Sequence, residues 1–191
     1  MKIGVDITAL YINRAGILTY SYNLLKHLLA IDRETQYLLL DYVPVRRNLV
    51  CPLGLEVLRG PNVRVVGGHL PWFCLPQKER GAAYQWNRLA LWPWARWREA
   101  QRTAYLQAVL NGVDVFHSSD VMQCTVAGAR NVVTVWDLTP VLFPKWHTPS
   151  IARLQQAKLG FAKDEADHII AISYSTKRDL TTHLSIPADK I

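Results

Sequence analysis

Residues 131–140 have the sequence Asn-Val-Val-Thr-Val-Trp-Asp-Leu-Thr-Pro, an apolar run that passes directly into a polar and aromatic turn. The three valines of this run are β-branched, as is typical of a strand that is covered on both faces of a parallel sheet. The run therefore predicts a buried strand over Asn131–Val135. Trp136 and Asp137 then follow its carboxyl end, which is where open α/β sheets bind their ligands.

The rest of the chain alternates between short apolar runs and longer segments with helical periodicity. The other predicted strands are Lys2–Ile7, Tyr37–Asp41, Val63–Val66, Val113–His117 and His168–Ile172. The predicted helices are Leu18–Ile31, 78–111, Ile151–Glu165 and a segment from about Ser173 to Leu184. Strands that alternate with helices over a whole chain indicate a parallel sheet with helices on both faces. We therefore expect an α/β, Rossmann-like fold in which residues 1–191 form a single domain.

The composition favours a packed globule, because 50% of the 191 residues are hydrophobic and only 19% are charged. Cys51, Cys74 and Cys124 are scattered, which indicates reduced thiols rather than a disulfide framework or a zinc site. The histidines show no paired metal-binding spacing. The chain enters a strand at once, with no signal peptide and no apolar run long enough to span a bilayer. We expect a cytoplasmic protein without a metal site.

The formal net charge of +7 favours an anionic partner such as nucleic acid, anionic lipid or a phosphorylated substrate. No zinc finger or RNP motif accompanies the charge, so nucleic acid is not expected. A basic surface that is merely solvated is the alternative.

The predicted helical segment 78–111 holds most of the tryptophans, interleaved with arginines. Such a segment suits a helix lying on an anionic membrane surface. The alternative is that the tryptophans pack the helix onto the sheet while the arginines are solvated. Pro93 either kinks this helix or begins a second one that stops at Gly112.

Four residues near predicted strand ends or helix starts each have two interpretations. Gly16 stands before a helix, where backbone amides can face an anion, but a simple turn glycine explains it equally well. His117 ends a strand and is either a ligand contact or a hydrogen-bonded structural residue. Asp137 either contacts a ligand or forms a turn. Ser173 either contacts a ligand or caps the helix that follows it.

Five segments, taken in order, resemble the N-terminal domain of glycosyltransferase family 4, whose members are retaining, nucleotide-sugar-dependent enzymes of GT-B fold. These segments are Gly16–Tyr20 with Asn23–Leu25, Val113–His117, Val133–Pro140 with Phe143-Pro144, Ala166–Leu180 and Ile186–Ile191.

The resemblance implies the acceptor-binding half of an enzyme that transfers a sugar to a glycan or lipid-linked acceptor. A nucleotide-diphosphate sugar would be the donor, held mainly by a C-terminal domain beyond residue 191, so this half is expected to be inactive alone. No other cofactor is implied, and the protein would act in the cytoplasm or at the inner face of the membrane. The implied substrate-binding residues are Gly16, Thr19, Tyr20, His117, Trp136, Asp137 and Ser173.

Two positions depart from the family pattern. Leu18 stands where a second glycine is usual, and Trp136 stands where the family has a histidine associated with the reacting sugar. An indole in that place can stack on a sugar face without proton chemistry. Two alternatives therefore remain: a stand-alone Rossmann-like module that binds a sugar or a nucleotide, and another GT-B-like enzyme such as a sugar-nucleotide epimerase.

Overall fold

Six parallel strands form one sheet in a computed structural model that describes residues 1–11, 15–41, 53–54, 56–67, 92–118 and 124–191. The strands are β1 (Lys2–Asp6), β2 (Gln36–Asp41), β3 (Val63–Gly67), β4 (Val115–Ser118), β5 (Arg130–Val135) and β6 (His168–Ala171). Their order is β3-β2-β1-β4-β5-β6, and every neighbouring pair is parallel. This is the Rossmann order, so the predicted fold class is confirmed.

The helices of the described residues are α1 (Ala15–Ile31), α2 (Trp92–Val109), α3 (Thr139–Leu142), α4 (Pro149–Asp164) and α5 (Tyr174–Leu184). Short 3-10 turns lie at Thr8–Tyr11, Glu56–Leu58, Pro144–Trp146 and Ala188–Lys190. The predicted loop at 67–76 and the predicted helix over 78–91 fall outside the described residues, apart from Gly67, which ends β3. The sequence did not predict α3, which is a single turn stabilised by Pro140 near its start.

The strand predicted for Val113–His117 starts two residues later than expected, since β4 begins at Val115 and ends at Ser118. Gly112 adopts a left-handed conformation with φ of 72°, and the Val113 amide bonds to the Leu110 carbonyl. Val113 is therefore part of the turn that closes α2, and its apolar side chain fills the core from that turn. An apolar residue in a helix-closing turn is indistinguishable from a strand residue by pattern alone.

One face of the sheet is covered by α1, which begins at Ala15 rather than near Leu18. The buried residues of this helix are Leu18, Leu25 and Leu29, and the last two pack with Val5 and Leu39 of the sheet. Tyr20 and Leu24 lie only half-buried and Ile31 is exposed, although they share the helical spacing of the apolar residues. The helix is apolar on more than one side, so its periodicity could not fix which side faces the sheet.

The opposite face carries α2 over the centre of the sheet and α4 over β5 and β6. Leu106 and Leu110 of α2 pack on Phe116 of β4. A side chain at Gly4 of β1 would come within 3.0 Å of the Phe116 ring, so glycine there lets the helix and sheet approach closely. On α4 the buried residues are Leu159 and Ala162, whereas Leu154 is exposed.

The tryptophan-rich segment is described only from Trp92 onward. There α2 starts one residue before Pro93, which favours Pro93 as part of a helix start over a kink, and the helix ends before Gly112 as expected. Trp97 is half-exposed, so this tryptophan does not pack fully onto the sheet. No helix in the described ranges combines the length and the apolarity that crossing a bilayer requires.

Candidate functional site

The strand order reverses between β1 and β4, and a small cavity lies at that point. It holds about 30 Å³, enough for one or two water molecules at roughly 10–15 Å³ each. Its floor comes from the ends of β1, β4 and β5, and its roof from α1. The polar and aromatic residues that line it are Asp6, Tyr20, Ser21, His117, Ser118, Thr134 and Trp136.

A larger cavity of about 130 Å³ lies beside it, between the end of β5 and the middle and second half of α4. Apolar residues of β5 and α4 form its base. Its polar lining residues are Ser118, Thr134, Asp137, Gln155 and Lys158. Asp137 is exposed, so this cavity opens to solvent. Trp136 lines both cavities and connects them.

Trp136 is held from two sides. Its indole meets the Tyr20 ring edge-on, with ring centroids 5.0 Å apart and an interplanar angle of 81°. Its carbonyl accepts a hydrogen bond of 3.0 Å from the Thr176 hydroxyl of α5. The indole Nε1 is buried and has no hydrogen-bond partner among the described residues. Because a buried donor without a partner costs free energy, this N–H is available to a bound molecule.

His117 faces the small cavity and shares a hydrogen bond of 2.8 Å between its Nε2 and the Thr134 hydroxyl. Burial lowers the pKa of His117 below its usual value, so the imidazole is neutral near pH 7. The His117 ring is thus a structural hydrogen-bonding group in the wall of the small cavity. A ligand in the larger cavity would instead contact Thr134 and Trp136. The structural interpretation of His117 is confirmed, and its role as a ligand contact stays a prediction.

We expect the free energy of unfolding to fall as the pH drops below 6.5, because the unfolded chain then protonates His117 while the folded chain does not. The slope from one such group is at most about 1.4 kcal/mol per pH unit. His117→Gln should flatten this part of the profile in urea unfolding between pH 8 and pH 5. The exposed His168→Gln is the matched control, and a profile that His117→Gln leaves unchanged would contradict the prediction.

Asp137 forms a tight turn, as one of the two sequence interpretations proposed. Its Oδ1 accepts hydrogen bonds from the Thr139 amide at 2.8 Å and the Thr139 hydroxyl at 2.5 Å. Asp6 at the end of β1 forms the same turn with Thr8, at 2.9 and 2.5 Å. The Asp-x-Thr pattern thus occurs at the carboxyl ends of two strands that both border the site. In each case it turns the chain away from the sheet and keeps a carboxylate at the cavity edge.

Three predicted residues stand apart from both cavities. Gly16 is exposed in the first turn of α1, with open space where a side chain would extend. Thr19 is exposed, and its carbonyl accepts a hydrogen bond from Asn23. Ser173 caps α5: its hydroxyl accepts the Thr176 amide at 3.1 Å and bonds to the Thr176 hydroxyl at 3.0 Å. The capping interpretation of Ser173 is confirmed, and this cap holds Thr176 against the Trp136 carbonyl.

Sequence reasoning missed most of the polar lining. Asp6 carries a signal that could have identified it, since its Asp-x-Thr pattern matches that of Asp137. Gln155 and Lys158 carry none, because they sit on a helix whose buried side is decided by packing. Lys158 and Asp137 are the titratable residues of the larger cavity, so its charges nearly balance. In the described ranges, no three His, Cys, Asp or Glu side chains are close enough to hold a metal ion.

Comparison with known proteins gives no family for this chain. No protein-family model matches it, and no curated protein matches it significantly.

Proposed function

We propose that residues 1–191 are the acceptor-binding domain of a retaining glycosyltransferase that uses a nucleotide-diphosphate sugar. The observation that supports this proposal is the larger cavity at the ends of β4 and β5. Trp136 and Asp137, two of the residues that the family resemblance implies, line it, and Tyr20 and His117 lie in the adjoining small cavity. The acceptor would be a glycan or a lipid-linked sugar.

The lining suits a sugar for a physical reason. A pyranose has an apolar face, which packs on an aromatic ring, and a rim of hydroxyls, which need hydrogen-bond partners when they leave water. The larger cavity combines Trp136 with Ser118, Thr134 and Gln155, none of which is charged. The Asp137 oxygen that Thr139 does not bond can accept from an acceptor hydroxyl. The buried indole N–H adds one further donor.

The proposal assigns no general base. The neutral His117 is engaged with Thr134, and one Asp137 oxygen is engaged with Thr139. Retaining transfer depends on stabilising charge on the departing diphosphate, and donors that face this charge are the main catalytic resource. By the resemblance, a second domain supplies those donors. We therefore expect residues 1–191 to bind an acceptor and not to transfer a sugar.

A stand-alone binding module is the second candidate, and one observation favours it. The strand order reverses between β1 and β4, and Rossmann-type sheets bind nucleotides across the strand ends at such a point. With Trp136 in place of the family histidine, recognition without transfer is chemically consistent. Preference for a nucleotide over a sugar would distinguish this module from the acceptor domain.

Saturation-transfer NMR on residues 1–191 tests the proposal with methyl α-glucoside, α-mannoside and α-galactoside as probes. We expect saturable binding of at least one glycoside, and loss of its signal in Gln155→Ala. The exposed Gln156→Ala, one position along the same helix, is the matched control. Incubation with UDP-glucose or GDP-mannose should give no transfer. Turnover by residues 1–191, or binding of UDP or GDP with no glycoside binding, would overturn the proposal.

A further inference from the structure

An exposed apolar surface follows the candidate site along the chain. Phe143 and Trp146 are 46% and 73% exposed, and their rings stack with centroids 4.4 Å apart at an angle of 12°. Ile151 and Leu154, on the first turns of α4, are 44% and 50% exposed. These four side chains are called here the 143–154 surface.

The fold does not need this surface. The helix α4 packs on the sheet through Leu159 and Ala162, while Ile151 and Leu154 lie three residues apart on a flank that stays in water. A stacked Trp–Phe pair that remains mostly in water gains little folding free energy compared with the same pair in the core. Several large apolar side chains exposed within one short segment indicate a surface that meets a partner.

The charged residues of the segment that carries this surface are all basic. Between Asp137 and Asp164 the chain contains four basic residues and no acidic one; the basic residues are Lys145, Arg153, Lys158 and Lys163. Lys145 lies between the two stacked aromatic residues in the chain, and Arg153 precedes Leu154; both are exposed. The 143–154 surface therefore has two exposed cations, Lys145 and Arg153, beside its apolar residues in the chain.

We propose that the 143–154 surface binds the surface of an anionic lipid bilayer. Trp and Phe side chains settle at the headgroup level, where one part of the ring meets acyl chains and another meets water. Lys and Arg beside them are attracted by anionic headgroups, and each contributes about fivefold to the partition coefficient. The combination of exposed aromatic rings, aliphatic side chains and the exposed cations Lys145 and Arg153 matches such an interface.

A second copy of the chain fits this surface less well. A twofold dimer would bring the same patch of both copies together. Lys145 and Arg153 of one copy would then face Lys145 and Arg153 of the other, with no acidic residue in 138–163 to offset them. An anionic bilayer neutralises these charges.

The position of the surface links it to the candidate site, and this step rests on the proposed function. Pro140 of α3 and Gln155 and Lys158 of α4 line the larger cavity, so the elements that carry the 143–154 surface also form one wall of it. A protein bound through this surface would hold the cavity close to the membrane. A lipid-linked acceptor would reach the cavity without leaving the bilayer.

Vesicle flotation of residues 1–191 tests the inference, with phosphatidylcholine vesicles that contain or lack phosphatidylglycerol. We expect flotation with the anionic vesicles at low salt, weakening as salt is added. The double variant Phe143→Ser/Trp146→Ser should lower the partition coefficient roughly tenfold or more, through the loss of buried apolar area. Lys145→Glu/Arg153→Glu should lower it by roughly twentyfold or more.

Matched controls lie at the other end of the sheet. Ile31→Ser removes an equally exposed apolar side chain, and Lys163→Glu reverses a charge at the far end of α4; both should float like the parent protein. Circular dichroism melting of each variant establishes that it is folded. Absence of flotation by the parent protein would overturn the inference. Two results with Phe143→Ser/Trp146→Ser would also overturn it. One is a parent protein that is a dimer and a variant that is a monomer; the other is a variant that loses glycoside binding but floats like the parent.

The two proposals fail separately. Vesicle binding requires no sugar, and glycoside binding in solution requires no lipid. Flotation without glycoside binding supports the membrane surface and contradicts the acceptor site. Glycoside binding without flotation supports the acceptor site and contradicts the membrane surface.

Discussion

Replacing Trp136 with histidine will weaken glycoside binding by about tenfold, which corresponds to about 1.4 kcal/mol. The imidazole offers a smaller and more polar face than the indole, so the apolar side of a sugar loses contact area. It also loses the edge-on contact with the Tyr20 ring, which should lower the free energy of unfolding by about 1 kcal/mol. Titration by saturation-transfer NMR and urea unfolding measure the two effects.

Trp136→Phe separates stacking from hydrogen bonding. A phenyl ring keeps the apolar face and removes an N–H that has no partner among the described residues. Folding therefore loses no protein hydrogen bond, and the free energy of unfolding should change by less than about 1.5 kcal/mol. A fall in glycoside affinity in this variant would show that the indole N–H donates to the sugar.

The histidine variant also has an outcome that would contradict the stacking role. If a full-length protein carrying Trp136→His gained or raised transfer activity, Trp136 would stand in for a catalytic histidine. If affinity, activity and stability all remained unchanged, the indole would only fill space in the structure. The sugar would then bind elsewhere along the strand ends.

Asn131→Asp should lower the free energy of unfolding by about 3 kcal/mol, the largest effect on stability predicted here. Asn131 is buried at the amino end of β5, and its side chain bonds to one loop in three ways. Its Oδ1 accepts the Val126 amide at 2.7 Å, and its Nδ2 donates to the carbonyls of Val126 and Ala129 at 3.3 and 3.0 Å. In Asn131→Asp a carboxylate oxygen would replace Nδ2 and face the carbonyl oxygens of Val126 and Ala129. These groups would repel one another in a buried site.

Urea unfolding at pH 7 measures this change. The same substitution at the exposed Asn111 is the matched control, and it should alter the free energy of unfolding by less than about 0.5 kcal/mol. Since Asn131 lies at the opposite end of β5 from the cavities, glycoside affinity of the folded fraction should be unchanged. Equal stability of the Asn131→Asp and Asn111→Asp variants would contradict the assigned hydrogen bonds.

The sequence predicted the local features of the site because local chemistry produces them. The β-branched run before Trp136 forms β5, and its end lies at the cavities. The capping role of Ser173 and the turn at Asp137 were each one of two interpretations, and both depend on hydrogen bonds within three residues. Signals that act over so short a range survive any tertiary arrangement.

Features that depend on packing could not be predicted in this way. Which side of α1 faces the sheet is one such feature, because the helix is apolar on more than one side. Tyr20 was implied as a substrate-binding residue by the family resemblance alone, and the docking of α1 is what brings it to the Trp136 ring at the cavity. Gln155 and Lys158 reach the same cavity only because Leu159 and Ala162 dock α4 on the sheet.

By itself the sequence determined a parallel α/β sheet and a strand that ends directly before Trp136 and Asp137. The order of the strands, and hence which strand ends meet, was decided by the tertiary structure alone. Right-handed crossovers place α1 on one face of the sheet and α2 and α4 on the other, so the chain reverses between β1 and β4. That reversal brings Asp6, His117 and Trp136 from three separate strand ends to one point, and no pattern along the chain records it.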